Sequence, residues 1–514
     1  MKRGFTALAD KQFDLLICGG GVYGAWTAYD AALRGLKVAL VEQDDWASGT
    51  SSASSKLIHG GLRYLETFDF KLVSKALKER GMLLQVAPHR VWSLRFGVPV
   101  YADSRVSRLK LKAGLWLYDL MARSLATAAG HQYFGKTTFA QKFPAIVREK
   151  LKGGFTYLDA QTDDARLVLE LVSGAISAGA VCLNQCELIE IHAEGATVKD
   201  KLTGENVLVQ TQTVVHTSGQ WLTQKEVSKS WVRLSKGIHL VLPALLNGEA
   251  LLLTAKADGR VFFMIPWYGL TLVGTTDTDY QGDVESVVVE DADVQYLLRE
   301  VNHYLNTHLT ASDVIGSYAG LRAMRQSEEG APSAVSRDWE LKSEGNGHFF
   351  SVGGKLTSAR EDASVIVDAV CHHLGLAVSC TTFAKIFPWM PDDFPVWSGE
   401  IGAQARKLGV DDESAQWLLR RHGKRVGEIL SDIENDATLA PRIVPSLPFI
   451  YADLLFCARY EMVVHLHDLL RRRMPLLILA KLSSAELLQI AERVAPILGW
   501  DEVRVRQEVD QLLP

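Results

Sequence analysis

The sequence is poor in the features that mark secreted, membrane-spanning and metal-binding proteins. It has only six cysteines, at positions 18, 182, 186, 371, 380 and 457, and their spacing matches no His/Cys ligand set. We therefore expect no metal site and no disulfide framework, but reduced core thiols in a cytoplasmic protein. The N-terminal stretch MKRGFTALADKQ has no apolar core, and no apolar run reaches the ~18–20 residues of a spanning helix. We expect neither a signal peptide nor a transmembrane segment.

The chain also lacks a strong excess of charge of one sign. Lysine and arginine number 55 against 60 aspartates and glutamates, which gives a formal net charge of −5. Such a weakly acidic chain does not favour nucleic-acid binding, so no nucleic-acid partner is expected. With 514 residues, of which 47% are hydrophobic, it should form two or three domains that bury their own cores.

The clearest pattern that is present is a βαβ unit near the N-terminus. An apolar strand at 15–18 enters a glycine turn, a helix follows at 25–34, and KVALVE at 37–42 is a second strand. The turn has the G-x-G-x-x-G spacing, at Gly19, Gly21 and Gly24. Such glycines let amides approach a pyrophosphate at a helix N-terminus, and an acid such as Glu42 holds a ribose hydroxyl. The unit predicts a dinucleotide site; a glycine-rich turn in an unrelated α/β domain is the alternative.

Two further turns favour FAD over a nicotinamide cofactor. VVHTSGQW at 214–221 is a strand that enters a small-residue turn at Gly219. SVGGKLTSAR at 351–360 is a strand, a turn with Gly353 and Gly354, and a helix start. A helix that begins there directs its positive end toward the side of a flavin that gains negative charge on reduction. Three such turns suit an extended FAD, although each one alone is also compatible with a plain strand-to-helix turn.

The whole pattern predicts an α/β fold: a Rossmann-like FAD-binding domain, a β-rich substrate domain and a C-terminal all-α cap. Helices are predicted at 67–87 and 163–180, strand-rich segments at 180–219 and 232–280, and further helices over 400–514. The predicted domains are a discontinuous FAD-binding domain at 10–100, 155–220 and 335–375, a substrate domain at 101–154 and 221–334, and a cap at 376–514.

A serine-rich stretch, SSASSKLIHGGLRYLE at 51–66, follows the second strand by a short loop. Its hydroxyls and amides are placed to bond the pyrophosphate and ribityl chain, and its far end would reach the isoalloxazine. Besides the three glycines and Glu42, the predicted cofactor-binding residues are Ser51, Ser52, Ser55, Lys56, Gly219, Gly353, Gly354, Lys355, Leu356 and Thr357.

Seven motifs resemble those of the FAD-dependent glycerol-3-phosphate dehydrogenases of bacterial respiration and mitochondria. They are GGGVYG, TSSASSKLIHGGLRYLE, DDARL, KGIHLVLP, IPW…VGTTDTDYQGD, RAM…SRDWEL and GGKLTSAR. The match runs in order over about 13–365, and the helical tail coincides with the family's C-terminal cap. The resemblance implies oxidation of sn-glycerol 3-phosphate to dihydroxyacetone phosphate by hydride transfer to FAD, with electrons passed to a quinone.

The resemblance also implies a substrate pocket with several arginines. The residues at the family's pocket positions are Arg63, Tyr64, Arg322 and Arg337. Arginine suits a phosphate because its planar fork donates two charge-assisted hydrogen bonds and stays protonated. Asp277, in GTTD, is also expected at the pocket, where it more readily orients backbone or an arginine than takes part in chemistry. Taken one at a time, these arginines would also be compatible with surface charges.

His239, in KGIHLVLP, occupies the family's pocket-histidine position and is the first candidate for taking the alcohol proton, because imidazole titrates near working pH. His59 is the second candidate, with placement of the flavin as its other role. Lys355 would act as a fixed positive charge near flavin or substrate. With Arg322, these residues form the predicted catalytic set. A hydrogen-bonded core histidine is the alternative for both histidines.

The chain departs from the family pattern around the pocket. It has VHTSGQW in place of an Asn and Ala-Thr-Gly-Pro sequence, and TSAR in place of Thr-Thr-Tyr-Arg. Ile238 replaces a serine before the pocket histidine, and AGLRAM lacks the usual valine and proline around the arginine. The charged groups are kept, so the altered wall leaves a related polyol phosphate as an alternative substrate.

A quinone-linked enzyme of this family must reach the bilayer, so peripheral association with the inner face of the cell membrane is expected. The segment 104–126 combines basic residues with leucines and aromatic residues, and LLRRRMPLLILAK at 469–481 is a second candidate. A solvated basic face over core leucines is the alternative for each. An oxidase that uses oxygen, and a flavin-binding sensor without turnover, are the alternative functions. A homodimer is compatible with the sequence.

Overall fold

A computed structural model of the chain describes residues 1–9, 11–66, 68–122, 130–326 and 338–513. The strands in this part are β1 Gln12–Phe13, β2 Leu15–Cys18, β3 Val38–Val41, β4 Leu57–Ile58, β5 Val91–Tyr101, β6 Gln132–Gly135, β7 Leu151–Thr162, β8 Val181–Leu183, β9 Cys186–His192, β10 Gly195–Asp200, β11 Asn206–Thr211, β12 Val214–His216, β13 Val232–Leu242, β14 Ala250–Thr254, β15 Val261–Trp267, β16 Leu270–Gly274, β17 Thr278–Tyr280, β18 Gly316–Arg325, β19 Trp339–Gly345 and β20 His348–Gly353. The helices are α1 Val22–Leu33, α2 Phe70–Val86, α3 Arg108–Ala122, α4 Lys136–Lys142, α5 Asp164–Ser177, α6 Asp291–Asn302, α7 Ala359–His373, α8 Phe394–Lys407, α9 Asp412–His422, α10 Val426–Asn435, α11 Tyr451–Tyr460, α12 Leu466–Asp468, α13 Leu476–Leu479, α14 Ser484–Leu498 and α15 Glu502–Asp510.

The predicted βαβ unit is confirmed and lies at the centre of a six-stranded sheet of order β19-β20-β12-β2-β3-β8. β2 pairs in parallel with β3 and with β12, and β12 pairs in parallel with β20. α1 begins at Val22, earlier than predicted, because Gly21 is its N-cap. The parallel strands therefore end at one edge of the sheet, where all three predicted glycine turns meet.

Both faces of this sheet are buried, which explains why β2 is apolar throughout. Leu15 and Ile17 belong to a core that includes residues of α1, α5 and α7. Leu16 and Cys18 face the other way, into a core shared with a four-stranded sheet of order β1-β11-β10-β9. The alternation of side chains along a strand places successive residues in these two cores.

A second, ten-stranded sheet contains β13 to β18 together with β4, β5, β6 and β7. The predicted domain boundaries differ from this topology, because the FAD-binding segments 10–100 and 155–220 include β4, β5 and most of β7. β5 pairs with β7 along its whole length and joins β14 in parallel. The sequence does not identify β5 and β7 as partners, because the chain passes through α3 and α4 between the two strands.

The C-terminal segment is helical, as predicted, from α8 to α15. Buried ion pairs connect it to α5. The two carboxylate oxygens of Glu461 accept hydrogen bonds from Arg166 at 2.5 and 2.8 Å. Arg425 also pairs with Glu461, at 3.1 Å. Because all three groups lie between α5 and the cap, removing Glu461 would leave Arg166 and Arg425 buried with too little countercharge.

A cluster of metal-ligand types, His422, Asp453 and Cys457, lies within this interface, with candidate ligand atoms within 4.8 Å of one another. Both carboxylate oxygens of Asp453 are already engaged, one by Arg421 and the other by His422 at 2.6 Å. Burial would raise the pKa of Asp453, but Arg421 and His422 lower it to about 2. We therefore assign this cluster to the ion-pair network of the cap.

The second predicted membrane segment, 469–481, is corrected by the structure. It forms a π-helical turn, Leu469–Arg473, followed by α13, and most of its side chains are buried. Arg472 and Arg473 both pair with Asp45, which follows β3. The run of arginines and leucines is thus a buried contact between the cap and the six-stranded sheet. In the part of the chain that the structure describes, no helix combines the length and apolarity needed to span a bilayer.

Candidate functional site

A cavity of about 550 Å³ lies between the six-stranded and the ten-stranded sheet. Its wall combines the carboxyl ends of β2, β3, β12 and β20 with residues of β13, β15 and β18. Ligands of open α/β sheets bind in the crevice at the carboxyl ends of the strands. The predicted site residues that line this cavity are Gly19, Gly21, Glu42, Ser51, Ser55, His59, Arg63, Tyr64, Gly219, His239, Asp277, Arg322, Gly353, Gly354, Lys355, Leu356 and Thr357.

Three predicted site residues in the described part of the chain, Gly24, Ser52 and Lys56, are not among those that line it, and Ser52 is buried. Lys56 is buried elsewhere, where its ammonium pairs with Asp164 at 2.7 Å and donates to the carbonyl of Ser52 at 2.7 Å. Gly24 lies inside the first turn of α1. Arg337, predicted to bind substrate, lies outside the described residues. The serine-rich stretch predicts that Lys56 binds the cofactor, but this prediction is wrong, because the backbone there, with a φ of +60° at Lys56, turns the side chain into the core.

The first glycine turn leaves a helix N-terminus facing the cavity. Gly21 is the N-cap of α1 and has no side chain to cap it, while Ser51 accepts a hydrogen bond from the Val22 amide at 2.9 Å. A Cβ at Gly24 would lie 1.9 Å from the Gly19 carbonyl oxygen, so only glycine allows this close packing. An open turn with free approach for an anion fits the pyrophosphate of a dinucleotide.

Glu42 lies beside this turn at the end of β3. One of its carboxylate oxygens accepts from the Gly20 amide at 2.6 Å, and the other accepts from the Asp44 amide at 2.9 Å. Burial raises the pKa of Glu42 to about 7, although these two amide hydrogen bonds oppose the shift. The carboxyl is thus fixed at the cavity wall, and its binding of a ribose hydroxyl stays a prediction.

The loop that carries the HGGLRY motif is fixed by hydrogen bonds to residues on its side away from the cavity. The Gly60 amide donates to the hydroxyl of Tyr118 at 3.0 Å and to the carboxylate of Asp159 at 3.2 Å. Arg80 pairs with the same carboxylate at 2.6 Å. The His59 amide donates to the hydroxyl of Thr357 at 3.2 Å, so this loop is also joined to the third glycine turn.

His239 lies on β13, where it is only 1% exposed. Its Nε2 lies 2.8 Å from the hydroxyl oxygen of Ser55, and its ring stacks on Tyr318 with centroids 4.8 Å apart. Burial, reinforced by the charges of Arg322 and Lys56, lowers its pKa well below the ordinary value. The imidazole is therefore neutral at neutral pH.

Arg322 lies on β18 opposite the turn that follows β16. Its guanidinium donates to the Thr275 hydroxyl at 2.7 Å and the Thr276 carbonyl at 3.2 Å, and lies 3.4 Å from a carboxylate oxygen of Asp277. The side chain is about one-fifth exposed, which leaves part of the guanidinium accessible from the cavity. Asp277 therefore lies next to this arginine, and its role in orienting Arg322 stays a prediction.

Lys355 and Arg63 approach the cavity from different segments. The Lys355 ammonium lies 4.0 Å from the centroid of the Tyr64 ring, and the Arg63 guanidinium lies 5.1 Å from it. His59 contacts Phe263 with ring centroids 6.2 Å apart. Two cations therefore converge on one aromatic ring, which suits capture of an anionic group.

Several cavity residues were not found from the sequence. Arg260, at the start of β15, lines the cavity and donates to the Asp277 carbonyl, although DGRVFF resembles an ordinary surface turn. His216 ends β12, stacks on Phe350 at 4.5 Å, and has its pKa lowered to about 3 by burial. Tyr23 stands between Gly21 and Gly24 of the first glycine motif and lines the cavity. For Tyr23, the unusual bulk within G-x-G-x-x-G was the available signal.

Comparisons with known proteins agree with this architecture. A family model described as FAD dependent oxidoreductase matches residues 14–357. A second, described as the C-terminal domain of alpha-glycerophosphate oxidase, matches residues 396–505. Similar proteins include the glycerol-3-phosphate dehydrogenase of Synechocystis sp., which is 33% identical over 544 residues covering 99% of this chain and 97% of the relative. Glycerol-3-phosphate dehydrogenase 2 of Mycobacterium tuberculosis is 34% identical over 516 residues, covering 98% and 88%.

Solved structures give the same result for the fold. The glycerol-3-phosphate dehydrogenase from Bacillus halodurans, complexed with FAD, superposes with a TM-score of 0.79 at 29% identity over 99% of this chain and 95% of that chain. The L-alpha-glycerophosphate oxidase of Mycoplasma pneumoniae shares the fold with a TM-score of 0.55 at 18% identity, over 74% of this chain and 100% of that chain. The predicted fold class is confirmed.

Proposed function

The chain belongs to the FAD-dependent oxidoreductases and, within them, to the glycerol-3-phosphate dehydrogenases, and from this we propose that it converts sn-glycerol 3-phosphate to dihydroxyacetone phosphate with a quinone as electron acceptor. It is an enzyme whose cofactor is FAD. One observation carries the proposal. The dinucleotide cradle at Gly21 and Glu42 and the side chains of His239, Arg322 and Lys355 line one continuous cavity.

The first step that the protein must provide is removal of the alcohol proton. FAD supplies the hydride acceptor when it is bound. Neutral His239 is the proposed base, and Ser55 connects it to the cavity. With the ring proton on Nδ1, the Ser55 hydroxyl donates to Nε2. As that proton moves to Nε2, the alcohol proton of the substrate replaces it on the serine oxygen.

The second requirement is a site for the phosphate dianion. Arg322 and Arg63 are the proposed ligands, because both line the cavity and guanidinium groups bind phosphate with two directed hydrogen bonds. Asp277 and Thr275 hold Arg322 in place, so less rotamer entropy is lost when it binds the substrate. Arg260 adds a third guanidinium at the same wall.

The third requirement is access to a quinone, and α3 is the proposed contact with the membrane surface. Its buried face carries Leu115 and Tyr118, whereas Leu109 is 74% exposed and Trp116 57% exposed. Leu109, Trp116 and Leu120 repeat at helical spacing on the outward face, and basic residues flank them at Arg105, Arg108, Lys110 and Lys112. An exposed aromatic and aliphatic stripe beside cations suits the headgroup region of a bilayer.

Exposed aromatic residues next to α3 extend this stripe. Phe68 and Phe70, just before and at the start of α2, are exposed, with ring centroids 6.0 Å apart. Arg105 pairs with Glu66 at 2.6 Å, which brings the segment before α3 against the same loop. Because this loop continues from Arg63 and Tyr64, the proposed membrane face lies next to the cavity in the chain.

Product and acceptor can be tested in one assay. The holoprotein is given sn-glycerol 3-phosphate with either a short-chain quinone or oxygen as the only acceptor, and dihydroxyacetone phosphate, quinol and peroxide are each measured. We expect dihydroxyacetone phosphate and quinol in equal amounts, with little peroxide. Peroxide formation that matches product and exceeds quinone reduction would assign the protein to the oxidases instead.

A further inference from the structure

Tyr23 makes contacts that the proposed reaction does not use. It stands in the first turn of α1, lines the cavity, and accepts a hydrogen bond from the Lys355 amide at 2.9 Å through its hydroxyl oxygen. The same hydroxyl donates to a carboxylate oxygen of Asp362 at 2.7 Å. One phenol therefore joins the first glycine motif to the third, which are more than 300 residues apart in the chain.

Asp362 completes the arrangement from α7. Its side chain is fully buried, and the oxygen that accepts from Tyr23 also accepts from the Ser358 hydroxyl at 3.0 Å. The other oxygen pairs with the ammonium of Lys75, on α2, at 2.5 Å. Lys75 is about one-quarter exposed, so a surface lysine neutralises a buried carboxylate that in turn orients Tyr23.

The turn at Gly353–Lys355 is shaped around this phenol. Gly354 has a φ of +101°, and a Cβ on it would lie 1.8 Å from the Tyr23 hydroxyl oxygen. The close approach lets the Lys355 amide reach the hydroxyl, while its side chain extends to the Tyr64 ring. Only glycine fits at position 354 beside Tyr23, because the phenol hydroxyl occupies the space that a side chain would need.

We infer that Tyr23 is a positioning residue of the active site, and that Lys75, Asp362 and Tyr23 act in series to fix the turn that carries Lys355. The inference rests on the proposed function, in which Lys355 provides positive charge near the flavin and the substrate. The network makes the position of that charge depend on one phenol hydroxyl. It also connects the site to α2, whose first residue, Phe70, lies in the proposed membrane-contact region.

The test is the variant Tyr23→Phe, which keeps the ring and removes both hydrogen bonds. We expect the FAD content to stay at one per chain and the midpoint potential of the bound FAD to become more negative, because positive charge near the reduced form is less well placed. The KM for glycerol 3-phosphate should rise about fivefold, the effect of one lost hydrogen bond of about 1 kcal/mol, with a smaller change in kcat.

The matched control is Tyr29→Phe, on the same helix. Tyr29 is buried and packs against Trp26 but does not line the cavity. Its variant should leave the potential and KM at the wild-type values. The inference would be overturned if Tyr23→Phe and Tyr29→Phe had equal effects. It would also be overturned if Tyr23→Phe changed neither the midpoint potential of the bound FAD nor the KM for glycerol 3-phosphate.

A second variant guards against a folding defect. Lys75→Met acts at a partly exposed side chain and should shift the potential and KM in the same direction as Tyr23→Phe, by a smaller amount. If the bound FAD of Lys75→Met kept the wild-type midpoint potential, Lys75 would not act together with Asp362 and Tyr23. If no glycerol phosphate reduces the enzyme, the proposed function fails, but the potential of the bound FAD still decides the role of Tyr23.

Discussion

At the scale of single residues, His239 is the side chain on which the proposed proton transfer depends most. Its low pKa has a clear cause, since the ring is buried and faces two cationic groups. A base of this kind does not titrate in the neutral range. Flavin reduction should therefore keep its rate as the pH falls through the range in which a histidine of ordinary pKa becomes protonated.

The variant His239→Asn should slow flavin reduction by glycerol 3-phosphate at least about 100-fold, the usual contribution of a positioned base. Anaerobic stopped-flow absorbance measures this rate directly. His192→Asn is the control, because His192 lies on β9 with its Nε2 2.8 Å from the Thr197 hydroxyl and does not line the cavity. Reduction of the His239→Asn enzyme at the wild-type rate would exclude His239 as the base.

Arg322→Gln should raise the KM for glycerol 3-phosphate about 10- to 100-fold, because a hydrogen bond to a charged group is worth about 1.5–3 kcal/mol. FAD content should stay the same, as Arg322 contacts the turn after β16 and not the glycine motifs. Arg325→Gln, three residues along β18, is the control, since that side chain is 47% exposed and pairs with Glu340. Similar steady-state KM values for the two variants would contradict phosphate binding by Arg322.

Most of the predicted site residues line the cavity, because they lie in continuous motifs, such as HGGLRY and GGKLT, whose backbone faces it. Lys56 could not be placed, since it shares a motif with Ser55 and only the local backbone decides which side chain turns inward. Arg260 and Tyr23 gain their positions from contacts with distant segments, around Asp277 and Lys355. No spacing in the sequence encodes such contacts.

At the scale of secondary-structure elements, buried ion pairs join α5 to the cap helices. Glu461→Gln should lower the free energy of unfolding by about 3–5 kcal/mol, because Arg166 and Arg425 would remain buried with too little countercharge. Urea denaturation followed by tryptophan fluorescence measures the loss. Asp432→Asn is the control: its pair with Arg459 at 3.1 Å is partly exposed and should contribute at most about 1 kcal/mol. Equal losses in both variants would contradict a special role for the buried network.

The carboxylate of Glu170, on α5, gives a pH prediction. Burial would raise its pKa, but His89 and Arg90 lower it from the ordinary 4.5 to about 2. A carboxylate whose pKa is lowered in the folded state stabilises the fold at pH values above its ordinary pKa. That stabilisation is lost as the pH falls toward about 2. Between these two pH values, the unfolding free energy of Glu170→Gln should fall less steeply than that of the wild type. If the unfolding free energies of the wild type and of Glu170→Gln fell in parallel over this pH range, the pKa of Glu170 would not be lowered by folding.

Element positions were largely predictable where both periodicity and turn residues were clear, as for α1, α5 and α7. Sheet membership was less predictable. β5 and β7 are mostly buried, but a strand's partner depends on long-range register, and here the chain leaves through α3 and α4 before it returns. The segment 469–481 has the composition of a segment that binds a membrane surface. It is nevertheless buried, because Asp45 supplies the countercharge for Arg472 and Arg473.

At the scale of the whole molecule, the outward stripe on α3 predicts binding to a membrane surface. The double variant Leu109→Glu with Trp116→Glu should reduce co-sedimentation with anionic lipid vesicles at least about tenfold, because two exposed apolar side chains no longer insert. Val288→Glu, at an exposed valine before α6, is the control and should bind like the wild type. Unchanged binding of the double variant would place any membrane contact elsewhere.

The most direct measurement of the central claim is an anaerobic titration of the purified holoprotein, followed by the visible absorbance of its flavin. Substrates are sn-glycerol 3-phosphate, its enantiomer, glycerol and a longer polyol phosphate, with dithionite as the positive control for reduction. We predict stoichiometric bleaching by sn-glycerol 3-phosphate and none by glycerol at the same concentration. A flavin that dithionite bleaches but no polyol phosphate does would contradict the account.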